Sequence, residues 1–155
     1  FRKEIIESFS YFKEKTWLRI ANIFFWVGLI FLVDVFMQYI LGPTNQSANQ
    51  EYLSQLGKQT PLFLTLIVFA FFVDLEELIF RHLLINWLSQ SIGLILSSLI
   101  SIFLFTFIHV THPIDFFMYA PGTILLTIAY LTANRSLAFI IGYPYFELTF
   151  LVLLL

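Results

Sequence analysis

Between Trp17 and Leu41 the sequence WLRIANIFFWVGLIFLVDVFMQYIL is almost wholly apolar, with Arg19 near its start and Asp34 as its only other charge. At 1.5 Å per residue a helix over that stretch outreaches the roughly 30 Å hydrocarbon core of a bilayer. No other feature narrows the possible folds as much, and it does not stand alone. The whole chain is 59% hydrophobic and 12% charged, against about 45–50% and about 25% for soluble domains. An integral membrane protein is expected, with a length of 155 residues that suits one domain. A net charge of −2 and the lack of a basic run argue against a nucleic-acid partner. With no cysteine, disulfides, thiolate catalysis and cysteine-based metal sites are excluded.

Further apolar runs extend the pattern. Gly42-Pro43 closes the first span, and TNQSANQEYLSQLGKQ follows as a polar loop outside the bilayer. A second helix is expected over 60–88, opening at Thr60-Pro61, where proline suits a helix start. SQSIG turns the chain into a third over 94–110, and His112-Pro113 ends that one. A fourth is expected over 116–131, and a fifth over 137–155, interrupted at Gly142 and Pro144. Residues 1–16 place Phe1, Ile5, Phe9 and Phe12 on one stripe, with most charges turned away from it. That segment reads as an amphipathic helix, lying in the interface plane or leading in from the cytosol, and not as a cleavable signal. The expectation is therefore an all-α, polytopic bundle of about five spans plus an N-terminal amphipathic helix. Arg2, Lys3, Lys13, Lys15 and Arg19 precede or open the first span, which puts the N-terminus in the cytoplasm.

The stretch FVDLEELIFRHLL, 72–84, breaks the apolar rule. Each ionisable side chain within a span costs roughly 2.5–3.5 kcal/mol on insertion scales, so such groups face the interior, pair, or line water. Glu77 and Arg81, four apart, share a helical face, and Asp74 lies on it too. Glu76 turns about 100° away and has no partner on its own helix. An unpaired carboxylate in a low dielectric is suited to accept protons. An ion-pair network that merely fixes packing is the competing reading. On the third helix, Phe105 and His109 share a face. Counting back from the turn near Gln90 leaves Glu76 and His109 about 6 Å apart in level, near enough to meet around one water.

Glu76-Glu77-x-x-x-Arg81 followed by Phe105-x-x-x-His109 resembles the first two motifs, EExxxR and FxxxH, of the type II CAAX prenyl protease and bacteriocin-processing family. That resemblance implies a membrane-embedded helical bundle and an endopeptidase. In it Glu76 would activate the attacking water, His109 would share that water or stabilise the oxyanion, and Glu77 and Arg81 would support them, with Phe105 as part of the second motif. The family's third motif, HxxxN or HxxxD, is not matched. Pro144 and Leu148 fall at those places, and Tyr143, Tyr145 and Glu147 are the nearest polar side chains to stand in. No cofactor is expected. His109, His112 and Asp115 recur at threes, but Pro113 interrupts the helix that would align them for a metal.

Three functions are compatible with these residues. The first is an intramembrane endopeptidase acting on a peptide or a lipidated protein. The second is a non-catalytic scaffold or bacteriocin self-immunity factor, working with another membrane protein. A proton-coupled transporter is the third, disfavoured because no internal repeat or pair of broken helices is evident. A cell-membrane location is expected for each.

Overall fold

The computed structural model describes residues 16–41, 61–136, 139, 141 and 142, and the regular structure among them is entirely helical. Helix α1 spans Thr16–Leu41. Helix α2, Leu62–Glu77, passes without a break into a π-helical segment, Leu78–Leu84, and then into α3, Ile85–Ile92. Helix α4 is Leu94–His109 and α5 is Pro113–Thr132. Since α2, the π segment and α3 form one rod, the described residues make four rods.

This corrects the expected architecture of five spans and an amphipathic helix. Among the described residues only α1 and α5 are helices long and apolar enough to cross a membrane. The run 60–88 carries apolar residues enough for a span, but its hydrogen-bond register changes after Glu77, leaving a 16-residue α-helix and a 7-residue π segment. Helix α4 is also 16 residues long, about 24 Å at the α-helical rise and short of the hydrocarbon thickness. Hydropathy registers how greasy a run is, not where its helix stops. The amphipathic segment 1–16, apart from Thr16, and nearly all of 137–155 lie outside the described residues.

The ends of the rods follow from local chemistry. Gly93, at φ +81°, donates its N–H to the Ser89 carbonyl at 3.2 Å and lets the chain reverse into α4, a conformation strained for any residue with a side chain. Helix α4 stops because His112, which precedes Pro113, is extended (φ −127°, ψ 151°). Pro113 then occupies the first turn of α5, where its missing N–H costs nothing. The Asp115 carboxylate accepts from the Thr111 N–H (2.9 Å), the Thr111 hydroxyl (2.7 Å) and the His112 N–H (2.7 Å). This cap begins α5 earlier than the sequence suggested. After α5, Asn134 and Arg135 are left-handed, and the Arg135 N–H closes on the Tyr130 carbonyl at 3.0 Å.

Helices α1 and α5 pack antiparallel. Ile23, Val27 and Ile30 meet Ala129, Ala133 and Phe139 in the main apolar core, while further along α1 the Asp34 carboxylate lies against Gly122. The buried face of α4 is different, being made of hydroxyls: Ser97, Ser98, Ser101 and Thr106. Small side chains allow close helix approach, and Ser97 and Ser98 return their hydroxyls to the Leu94 carbonyl. Large apolar side chains point outward instead, among them Phe25, Leu32, Phe36, Ile95, Phe103 and Phe107. A surface of that kind is suited to lipid.

Candidate active site

The charged stretch of 74–81 sits where α2 gives way to the π segment. Wide π turns insert extra backbone into a helix and occur often at functional sites. Here the segment is tied to its neighbour by Ser101, whose hydroxyl donates to the Phe80 carbonyl at 2.6 Å. That bond fixes the level of α4 against the rod, and with it the level of everything that follows on α4.

Glu77 and Arg81 form a buried ion pair, Oε1 to Nη1 at 2.9 Å, with side chains only 2% and 0% exposed. The Arg81 guanidinium carbon lies 3.7 Å from the centroid of the Phe105 ring, within cation–π range. Phe80 meets the same ring edge-on at 5.4 Å. Phe105 is thus the plate against which the pair rests, and on its other side it carries His109, stacked at 4.5 Å.

Glu76, turned about 100° from Glu77 around the helix, keeps 37% of its side chain exposed. Its Oε2 stands 3.5 Å from His109 Nε2. The imidazole is oriented from behind, because Nδ1 lies 2.8 Å from the Phe105 carbonyl. A carbonyl oxygen only accepts, so Nδ1 carries a proton, and Nε2 is left as the nitrogen that faces the carboxylate. The Tyr119 ring, from α5, closes a further side of the imidazole at 5.1 Å and a 40° tilt. Three rods therefore contribute to one site: Glu76, Glu77 and Arg81 from the first, Phe105 and His109 from the second, Tyr119 from the third.

A separation of 3.5 Å is longer than a good N–H···O bond. It is also about 1 Å shorter than the distance at which one water can bridge two acceptors with bonds of about 2.8 Å. A small opening between the rod and α4 is enough to admit a water donating one hydrogen to each group.

Other residues singled out in the sequence fall elsewhere. Asp115 is buried, but its carboxylate is occupied by the α5 cap, so it does not join His109 and His112. Among the described residues no three His, Asp or Glu side chains gather in a way that would hold a metal ion. Tyr143, Tyr145 and Glu147 lie outside the described residues, as do Pro144 and Leu148.

Sequence reasoning missed Tyr119 and Ser101, neither of which belongs to a recognisable motif. It also missed a second polar cluster. His82 Nδ1 lies 3.2 Å from the hydroxyl of the fully buried Tyr130. Asn86 donates to that hydroxyl at 3.3 Å, and Arg135 Nη1 donates to Asn86 Oδ1 at 3.2 Å. The spacing of His82 and Asn86, one turn apart in an apolar rod, was the only signal available for it.

A helical membrane protein with paired carboxylates, a buried arginine and a facing histidine on adjacent rods is the class that these features define. The model of the type II CAAX prenyl endopeptidase Rce1-like family matches residues 57–143, and the chain belongs to that family. The matched region runs across α2 to α5 and includes every residue of the site just described. No curated protein matches the chain, and no solved structure does.

Proposed function

We propose that the protein is an intramembrane endopeptidase in which Glu76 and His109 activate a water for attack on a peptide bond. The observation that carries this reading is the approach of His109 Nε2 to Glu76 Oε2 at 3.5 Å, with Nδ1 held by a backbone carbonyl. Both groups then accept hydrogens from the same water, which leaves an oxygen lone pair aimed away from them. As that oxygen bonds to the substrate carbonyl carbon, Glu76 takes the water's proton. The proton passes to the leaving nitrogen as the C–N bond breaks, giving a carboxylic acid and an amine. Glu77 and Arg81 hold the rod in register, and their mutual charge compensation leaves Glu76 as the carboxylate available to the water.

The substrate class proposed is a peptide or a lipidated protein, reached within the bilayer. Helix α1 begins at the end of the bundle where α5 finishes, so Arg19 and Arg135 fall together, with the cations of residues 2–15 preceding them. This favours a cytoplasmic N-terminus in the cell membrane. Glu76 and His109 then lie toward the outer half, since Tyr119, which touches His109, is in the first part of α5. The unmatched third motif favours a second reading, a non-catalytic scaffold or self-immunity factor of the same fold.

The two readings separate in proteoliposomes supplied with quenched-fluorescent peptides of mixed sequence, with and without a prenylated cysteine. Glu76→Gln is expected to lower cleavage by about 10²–10⁴-fold while the protein remains folded. Cleavage that is absent from the wild type, or unchanged in Glu76→Gln, rejects the endopeptidase and leaves the scaffold.

A further inference from the structure

We infer that Tyr119 is a positioning residue for His109, acting as the second jaw of an aromatic clamp on the imidazole. The inference rests on the endopeptidase reading for its kinetic consequence, but its geometric content stands apart from it. Phe105, one turn before His109 on the same helix, stacks on the ring at 4.5 Å and 30°. An intrahelical contact of that kind travels with α4, and by itself it cannot fix where the ring stands relative to the other rods. Tyr119 comes from α5 and meets the same imidazole at 5.1 Å. The bond from Nδ1 to the Phe105 carbonyl at 2.8 Å also lies within α4, so the packing of Tyr119 is the aromatic contact that holds the imidazole against another rod.

The position of Tyr119 is itself well determined. The start of α5 is pinned about one turn earlier by the Asp115 cap, and Gly122, three residues later, lies against Asp34 of α1. The aromatic face of Tyr119 is the operative part, so phenylalanine should serve in its place and an aliphatic residue should not. A ring displaced by even 1 Å from a productive geometry can cost up to about 10²-fold in rate.

The chain holds only three histidines, so selective labelling of His82, His109 and His112 gives a spectrum that is readily assigned. In detergent micelles, Tyr119→Leu is expected to move the His109 ring-proton resonance and Tyr119→Phe to bring it back toward the wild-type position. The His82 resonance, set by Tyr130, should stay in place and reports that the bundle is intact. In proteoliposomes the same Tyr119→Leu variant should lose on the order of tenfold in kcat, with KM unchanged. A His109 resonance that Tyr119→Leu leaves unmoved overturns the clamp whether or not peptides are cleaved. Should Tyr119→Leu fail to fold, a wild-type nuclear Overhauser contact between labelled tyrosine and His109 decides, and its absence rejects the proposal. If the clamp is seen but no peptide is cleaved, the endopeptidase reading fails and the clamp does not.

Discussion

Arg81 and His82 are neighbours in sequence, yet each anchors a different polar cluster, and the two clusters are built differently. Around His82, the hydroxyl of Tyr130, the amide of Asn86 and the guanidinium of Arg135 form a chain of hydrogen bonds between 3.2 and 3.4 Å. Among the described residues none of its buried polar atoms is left without a partner. Around Arg81, by contrast, the buried Glu77 Oε2 has no hydrogen-bond partner among the described residues, and Glu76 is paired among them by a long contact with His109. A cluster that closes all its bonds rigidifies the packing of the helices that carry it. One that leaves carboxylate oxygens in reserve has capacity for a water or a substrate, at a cost in stability. On the function proposed above, the first cluster is structural and the second is where the chemistry would take place.

The largest expected effect tests the charged side of that contrast. Arg81→Leu leaves Glu77 as an unpaired buried carboxylate, and a loss of about 3–5 kcal/mol is expected in detergent unfolding titrations. Replacing Glu77 by Leu as well should recover most of it, because an apolar pair avoids the desolvation of two charges. Ser101→Ala comes next. It removes one hydrogen bond from the Phe80 carbonyl, and about 1.5 kcal/mol should be lost by the same titration. Removing the α5 cap with Asp115→Ala should cost about 1–2 kcal/mol, seen as faster hydrogen exchange in residues 114–117. The smallest effect is expected in the satisfied cluster. Asn86→Ala should cost about 1 kcal/mol and leave peptide cleavage where it was. If Asn86→Ala instead abolishes cleavage at unchanged stability, the division between the two clusters is wrong.

Much of the candidate site was legible in the sequence because the bilayer makes charge conspicuous. Glu77 and Arg81 at i, i+4 predict their own ion pair, and His109 at the end of an apolar run predicts a level close to Glu76. The turn at Gly93 and the stop before Pro113 were also readable, since each is enforced by one residue's backbone geometry. What escaped depends on register and on distance along the chain. Nothing in LIFRHLL distinguishes a π segment from an α-helix, so the rod was read as one uninterrupted span. Asp115 was weighed as a metal ligand, although Pro113 two residues earlier already marked it as belonging to a helix start. Tyr119 and Tyr130 are ordinary tyrosines in an apolar helix. They gain meaning only when α5 is laid against the rods that bear His109 and His82.

A double-mutant cycle on Glu76 and His109 tests most directly whether the two act on one water. Cleavage of quenched-fluorescent peptides in proteoliposomes would be measured for Glu76→Gln, His109→Gln and the combined variant. Groups that serve a single water fail together, so the combined variant should be scarcely slower than the worse of the two single variants. Losses that multiply, or a Glu76→Gln protein that cleaves at the wild-type rate, would contradict the account.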